Sequence, residues 1–220
     1  MKILTGSSIR WFVLGLLGVG GLALGGFTQL RGQSSIEQLV TQPILLQVPV
    51  FQQAEGTSCG EAVIAMTYNY AHPDTPISEA EVIQYAAQND YYTPGVYPYT
   101  SPANMLKIAR YYTKDYSSGR VYSAAQGLAL LMKKLRAGEP VTIDVLSDFN
   151  DPESEAHFIV VTGISTDAQR ENAIVIHYND PFTGTQKSDD WDGPHGVWNA
   201  WKSNDDPGGS GWWLVLTPER

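Results

Sequence analysis

The spacing of apolar residues in the middle of the chain predicts helices. After Cys59, the residues Ala62, Ala65, Met66 and Tyr70 recur at intervals of three and four, which predicts an amphipathic helix that begins at Cys59. Three further segments begin with helix start signals. In one of them a serine is followed directly by proline, and in the other two a serine is followed three residues later by glutamate or glutamine. These predicted helices cover residues 79–88, about 102–113 and about 124–137.

Beyond residue 140 the pattern changes to that of β-strands. The segments either alternate between apolar and polar residues or form short apolar runs rich in β-branched residues. The predicted strands cover residues 141–146, 157–164, 173–178 and 212–217, with an edge strand at 44–50. Helices followed by antiparallel strands are typical of an α+β protein, and such chains often fold as two facing lobes.

The N-terminal residues have the pattern of an export signal. Residues 11–27 carry no charge and follow Lys2 and Arg10, which predicts that the N-terminus stays inside and the rest is exported. Ala23 and Gly25 offer a small-x-small cleavage site, while an uncleaved segment would anchor the protein in a membrane, and both outcomes remain open. The expected organisation is a signal peptide or membrane anchor over 1–30, a linker over 31–43 and one outward-facing domain over 44–220.

The charge balance argues against nucleic acid as a partner. The chain has 14 basic and 23 acidic residues. Three of the basic residues lie within the first 32 residues, and all of the acidic residues lie beyond them, so the rest of the chain is strongly negative. No stripe of lysine or arginine interrupts this negative charge, which would repel a phosphate backbone. An oligomeric state does not follow from these residues.

Cys59 is the only cysteine, so it has no partner for an intramolecular disulfide. A packing thiol, an intermolecular bridge and a nucleophile are the alternatives. The predicted position at the start of a helix favours the nucleophile, because the unpaired N–H groups and the helix dipole stabilise a negative sulfur there. Ser58 and Glu61 have the form of a capping box for this helix.

His157 is the histidine with the most suitable neighbour. It begins the strand of a predicted hairpin, and a turn centred just after Ala168 would place it directly opposite Asp180. A carboxylate in that position can hold an imidazole. The other histidines, which have no acid so placed and are more simply structural or surface residues, are His72, His177 and His195.

A metal site is not predicted. Asp189, Asp190 and Asp192 have part of the spacing of a calcium loop, but Ser188 and Asn199 occupy its first and twelfth positions, so ligands are missing. We expect neither a metal nor a cofactor.

Several segments, taken in order, resemble the double-glycine leader peptidases that process bacteriocins, a family of papain-like cysteine peptidases, and especially their stand-alone relatives. The segments are VPVFQQAEGTSCGEAVIAM, LRAGEPVTIDV, AHFIVVTGI, YNDPFTG, WNAW and GWWLVL, within residues 47–217. The resemblance implies a papain-like two-lobe α+β fold. In that fold an N-terminal helical lobe carries the cysteine helix, and a C-terminal antiparallel sheet carries the histidine and the aspartate.

The resemblance also implies roles for four residues. Cys59 would be the nucleophile, His157 its acid–base partner, Asp180 the group that orients His157, and Gln53 an oxyanion donor. The expected activity is cleavage of a peptide or amide bond in a peptide or protein substrate, by an exported or membrane-anchored enzyme. The leader peptidases usually belong to ATP-driven exporters and act in the cytoplasm, whereas these residues contain no GxxxxGK[ST] motif.

Two other functions are compatible with the same residues. Phytochelatin-synthase-like proteins share the order of glutamine, Cys-Gly, histidine and aspartate, and they transfer the acyl group to a second thiol or amine. A binding module could instead keep the papain-like fold without activity.

Overall fold

A computed structural model describes residues 42–92, 99–170 and 173–218. The helices in this part of the chain are α1 (Cys59–Ala71), α2 (Glu79–Gln88), α3 (Pro102–Tyr112), α4 (Ala124–Arg136) and α5 (Val197–Ser203). The strands are β1 (Ile44–Leu45), β2 (Tyr116–Arg120), β3 (Val141–Leu146), β4 (Ala156–Asp167), β5 (Ala173–Asp180), β6 (Thr185–Asp190) and β7 (Trp212–Leu216). The expected signal or anchor at 1–30 and nearly all of the linker at 31–43 lie outside the described residues. Within the described ranges, no helix is long and apolar enough to cross a membrane.

The strands form one antiparallel sheet in the order β2-β7-β3-β4-β5-β6, and β1 adds to β4 beside this path. Helices cover both faces of the sheet. Ile159 and Val161 of β4 enter a core with α4 and α5, while Phe158 and Val160 enter a second core with α1, α2 and α3. The α+β prediction is confirmed, and the arrangement is consistent with a papain-like fold.

The helix predictions from local signals are confirmed to within one residue at their ends. Ser78 and Glu81 form a complete capping box at α2, and the side chains of Ser101 and Ser123 accept hydrogen bonds at the starts of α3 and α4. These helices are predictable because their start signals act within a single turn of the chain.

The predicted capping box at α1 is wrong. The helix begins at Cys59 as expected, but Ser58 makes no side-chain cap. The Ser58 hydroxyl instead donates to the Glu79 carboxylate over 2.6 Å, and Glu61 is buried and accepts a hydrogen bond from Thr100. Tertiary partners of both residues thus replace the local cap.

Three elements, β2, β6 and α5, were not predicted. The segments YSSGR and TQKSDD are polar or small and have no apolar alternation, and they become strands because β7 and β5 supply their hydrogen-bond partners. Helix α5 is only seven residues long. The predicted edge strand at 44–50 is shorter than expected, since only Ile44 and Leu45 pair with β4.

Candidate active site

Cys59 is the first residue of α1 and is partly exposed. The turn before it is held by Glu79 of α2, whose carboxylate accepts hydrogen bonds from the backbone N–H of Ala54 and the hydroxyl of Ser58. The Ser58 hydroxyl and backbone also contact Glu55. A buried carboxylate from a neighbouring helix therefore fixes the backbone that presents the thiol.

His157 lies near the start of β4, with only 9% of its surface exposed. Its Nε2 atom is 2.8 Å from Oδ1 of Asp180, at the end of β5. This contact leaves the ring's other nitrogen, Nδ1, without a bond to Asp180. The structure thus brings together the histidine and the aspartate that the sequence pairs.

The predicted register of this pair is wrong. Val160 pairs with Asn179, and the register shifts between Val161 and Gly163 in a β-bulge. Continuing the observed ladder by one residue would place Asp180 opposite Ile159, not opposite His157. Because alternate residues share a face of a strand, His157 remains on the face of Asp180, and the two side chains meet along the diagonal.

The Asp180 carboxylate has several other partners. Its Oδ1 accepts a hydrogen bond of 2.9 Å from the backbone N–H of Phe182, and its Oδ2 lies 2.7 Å from Nζ of Lys187 on β6. The Thr183 hydroxyl also donates to Oδ2. Burial alone would raise the pKa of Asp180, but the hydrogen bonds from His157 and Lys187 hold it well below its usual range. Lys187 was not singled out from the sequence because its strand was not predicted.

His157 keeps its proton at neutral pH. Burial alone would lower its pKa, but hydrogen bonds with Asp180 and Cys59, together with the charges of both groups, raise the pKa of His157 to about 9. The imidazole therefore links the thiol of α1 to the carboxylate of β5. A protonated imidazole between a sulfur and a carboxylate is able to stabilise a thiolate and to donate a proton to a leaving group.

Gln53 lies beside this pair. Its backbone N–H donates to the carbonyl of Pro181 over 2.8 Å, which ties the segment before α1 to the residue after Asp180. Its side-chain Nε2 donates to the carbonyl of Glu55, and within the described ranges the buried Oε1 has no hydrogen-bond partner. An amide nitrogen has two hydrogens, so one remains for another acceptor.

Asp144 is a neighbour of the site that the sequence reasoning missed. It lies on β3 directly opposite Phe158, the residue after His157, and its side chain is fully buried. Burial is the largest cause that raises the pKa of Asp144 well above its usual range, and the nearby carboxylate of Asp206 and the charge of Cys59 act in the same direction. The sequence did contain a signal for this residue, because Asp144 is an acid in the middle of the otherwise mostly apolar strand VTIDVL.

The other histidines make contacts of a structural kind. His177 exchanges a hydrogen bond of 2.8 Å with Ser165 on the neighbouring strand, and the Nδ1 of His195 bonds the carbonyl of Phe149. Two acids of the incomplete calcium loop also have protein partners. Asp190 binds Arg170 through two hydrogen bonds, and Asp189 accepts one from Tyr178.

A helix that presents a lone cysteine, set beside a histidine held by an aspartate on an antiparallel sheet, is the arrangement of a cysteine peptidase-like protein. Residues 45–205 match the model of the Peptidase_C39 like family, and the chain belongs to that family. No curated protein matches the chain. The family supports a cysteine peptidase-like hydrolase, and it implies a peptide or protein substrate.

Proposed function

We propose that this protein is an exported or membrane-anchored cysteine peptidase, related to the double-glycine peptidases, that hydrolyses a peptide bond with Cys59, His157 and Asp180. The observation that carries the proposal is the 2.8 Å contact between His157 and Asp180, together with the pKa of His157, which Asp180 and Cys59 both raise. Outward placement rests on the uncharged segment at 11–27 and its basic flank.

The first half of the reaction uses the protonated histidine. The Cys59 sulfur attacks the carbonyl carbon of the scissile bond, and the carbonyl oxygen becomes negative. The C–N bond then breaks as His157 donates its proton to the departing amine, which leaves an acyl group on the sulfur as a thioester.

The second half uses the same histidine as a base. His157 takes a proton from water, the resulting hydroxide attacks the thioester carbonyl, and the C–S bond breaks to release the acid and restore the Cys59 sulfur. Asp180 keeps the ring in position through both halves. The carboxylate also stabilises the protonated ring each time it forms.

Gln53 and the backbone N–H of Cys59 are the proposed donors to the negative oxygen. The free hydrogen on Nε2 of Gln53 supports this role, since its other hydrogen is already used by Glu55. Loss of one such donor typically raises the barrier by about 2.7 to 4 kcal/mol. Gln53→Ala is therefore expected to lower kcat with little effect on thiol alkylation.

The decisive experiment compares labelling of Cys59 by a peptide-based thiol electrophile in four proteins: the unmodified chain, Cys59→Ala, His157→Ala and His195→Ala. His157→Ala should lose roughly 10²- to 10⁴-fold of the labelling rate, because general acid–base groups contribute about this much. Cys59→Ala should not be labelled at all. His195→Ala is the matched control and should keep the rate, since this exposed histidine contacts a loop carbonyl. Equal rates in His157→Ala and the unmodified chain would exclude the proposal.

Product analysis then separates hydrolysis from acyl transfer. A substrate peptide is incubated with and without an added thiol or amine, and a hydrolase releases the free acid in both cases. A transferase would instead require the acceptor. A Cys59 that does not react with iodoacetamide at pH 7 would favour a binding module without activity.

A further inference from the structure

A groove of about 750 Å³ lies between α3 and β2, the strand at the end of the sheet. Every residue of β2 lines it, together with Pro102, Ala103, Leu106 and Arg110 from α3. Strand β2 ends the sheet, and among the described strands it pairs only with β7. The N–H and C=O groups of its outer edge therefore have no strand partner there.

The centre of β2 is open to an approaching chain. Its three middle residues are Ser117, Ser118 and Gly119, whose side chains are small. Natural edge strands are usually blocked by an inward charge, a proline or a bulge. None of these occurs in the middle of β2, so its backbone is accessible for pairing.

Positive charge gathers around this groove. Arg110, Lys114 and Arg120 line it, all three are exposed, and no aspartate or glutamate is among the described lining residues. None of the three forms an ion pair within the part of the chain that the structure describes. Acids outnumber bases by nine in this protein, so the groove lining is opposite in charge to the chain as a whole.

The existing contacts leave these charges available. The Arg110 Nε donates to the phenol of Tyr116, and Arg120 donates to the carbonyls of Gly208 and Ser210. All of these acceptors are uncharged. Lys114 and Arg120 flank β2 at its two ends, so a strand laid along the edge would have a positive group near each of its own ends.

The groove is close to the candidate active site. Trp212 lines it, and the Trp212 ring packs edge to face on Phe158, with ring centroids 5.6 Å apart. Phe158 directly follows His157, and it also lies next to Gly60, where an added Cβ would be 3.6 Å from its ring. Two aromatic side chains thus separate the groove from the residues around Cys59.

We propose that the groove binds an acidic, extended segment of the peptide or protein substrate, which pairs with the free edge of β2. This inference rests on the proposed peptidase function and adds a substrate class to it. Main-chain hydrogen bonds to the strand would supply sequence-independent affinity, and carboxylates that meet Lys114, Arg110 and Arg120 would supply the selectivity. The bound segment is a different part of the substrate from the bond that is cleaved.

The first test measures binding of short rhodamine-labelled peptides to the Cys59→Ala protein by fluorescence anisotropy, so that no turnover occurs. A peptide in which Glu alternates with Thr should bind, and binding should weaken as salt is added. The matched peptide with Gln for Glu should bind at least about fivefold more weakly, and one with Lys should not bind. A Glu peptide with N-methylated backbone amides should also bind poorly, because it cannot pair with the edge of β2.

The second test changes the groove. The Arg110→Gln, Lys114→Glu double variant should bind the Glu peptide roughly tenfold or more weakly, because one attraction is lost and another is reversed. Lys133→Glu is the matched control, an exposed lysine of α4 outside the groove, and it should bind normally. Circular dichroism and thermal melting of each variant exclude unfolding as the cause.

Three results would overturn the inference: equal binding of the Glu, Gln and Lys peptides, unchanged binding by the double variant, or full binding of the N-methylated peptide. Sedimentation that shows two copies of the chain joined through β2, with no peptide bound, would assign the edge to self-association and overturn it as well. Failure of the peptidase proposal has a different signature, because it would leave peptide binding intact while the unmodified protein shows no histidine-dependent labelling of Cys59.

Discussion

His157 and Asp180 are in contact although they are not directly opposite each other in the β4–β5 ladder. Nε2 of His157 lies 2.8 Å from Oδ1 of Asp180, while Asn179 pairs with Val160. The ladder runs from Asp167 opposite Ala173 to Gly163 opposite His177 and then shifts by one residue between Val161 and Gly163. This bulge places His157 on the same face as Asp180, where the two side chains meet along the diagonal. The same carboxylate is bound by Lys187 and by the backbone of Phe182, so its position does not depend on His157 alone.

The alkaline limit of activity is set by His157. Its pKa is raised to about 9, so the proton that the leaving amine needs is present below this pH and is lost as the pH rises through it. We expect kcat/KM to fall on the alkaline side with a midpoint near 9, measured with a fluorogenic peptide across a series of buffers. A midpoint near 6.5, the ordinary value for histidine, would show that the contacts with Asp180 and Cys59 do not act on the ring in solution.

Asp180→Asn should move this alkaline limit to lower pH. An asparagine can still accept or donate a hydrogen bond, but it carries no charge to stabilise the protonated ring, so the pKa of His157 falls from about 9 towards 6.5. The same pH series measures the effect. Asp151→Asn, in an exposed loop, serves as the control and should leave the profile unchanged. An unshifted limit in Asp180→Asn would contradict the assignment of Asp180 as the partner of His157.

Glu61 should make stability depend on pH. Burial is the main cause that raises its pKa from 4.5 to about 7, with a smaller contribution from Glu79, while the hydrogen bond from Thr100 opposes the change. The folded state holds this proton more tightly than the unfolded state. The contribution of Glu61 to the free energy of unfolding is therefore fully present below pH 4.5 and is lost as the pH rises through about 7. The loss is on the order of 3 kcal/mol.

Glu61→Gln removes the group that titrates. The free energy of unfolding in urea, measured between pH 5 and pH 8, should therefore change less in this variant than in the unmodified protein. Glu153→Gln, in an exposed loop, is the control and should follow the unmodified protein. Parallel curves for Glu61→Gln and the unmodified protein would mean that Glu61 does not carry this dependence.

Gly127 should tolerate no large side chain. It lies on α4 beneath three tryptophans, and an added Cβ would be 3.0 to 3.3 Å from the rings of Trp191, Trp198 and Trp201. Gly127→Val is expected to cost about 1–3 kcal/mol through overpacking, and to lower Tm by several degrees. Ala125→Val, at an exposed position of the same helix, is the matched control and should change Tm little. Equal melting temperatures for the two variants would contradict the packing described for this cluster.

The sequence by itself determined the elements that depend on neighbours along the chain. Helices α2, α3 and α4 were predictable because serine caps and a proline act within one helical turn. Strands β3, β4, β5 and β7 were predictable because each fills part of a buried sheet, and most of its residues are therefore apolar. The cysteine at a helix start also followed from local pattern. His157 and Asp180 were singled out together, but through a register that the structure does not have.

The tertiary structure decided what depends on partners distant in sequence. Strands β2 and β6 have no apolar pattern and exist because β7 and β5 pair with them. The register of His157 depends on a bulge, which no local signal marks. The bond from Ser58 to Glu79 and the burial of Asp144 beside Phe158 join different elements, and their energies depend on burial that only the folded chain creates.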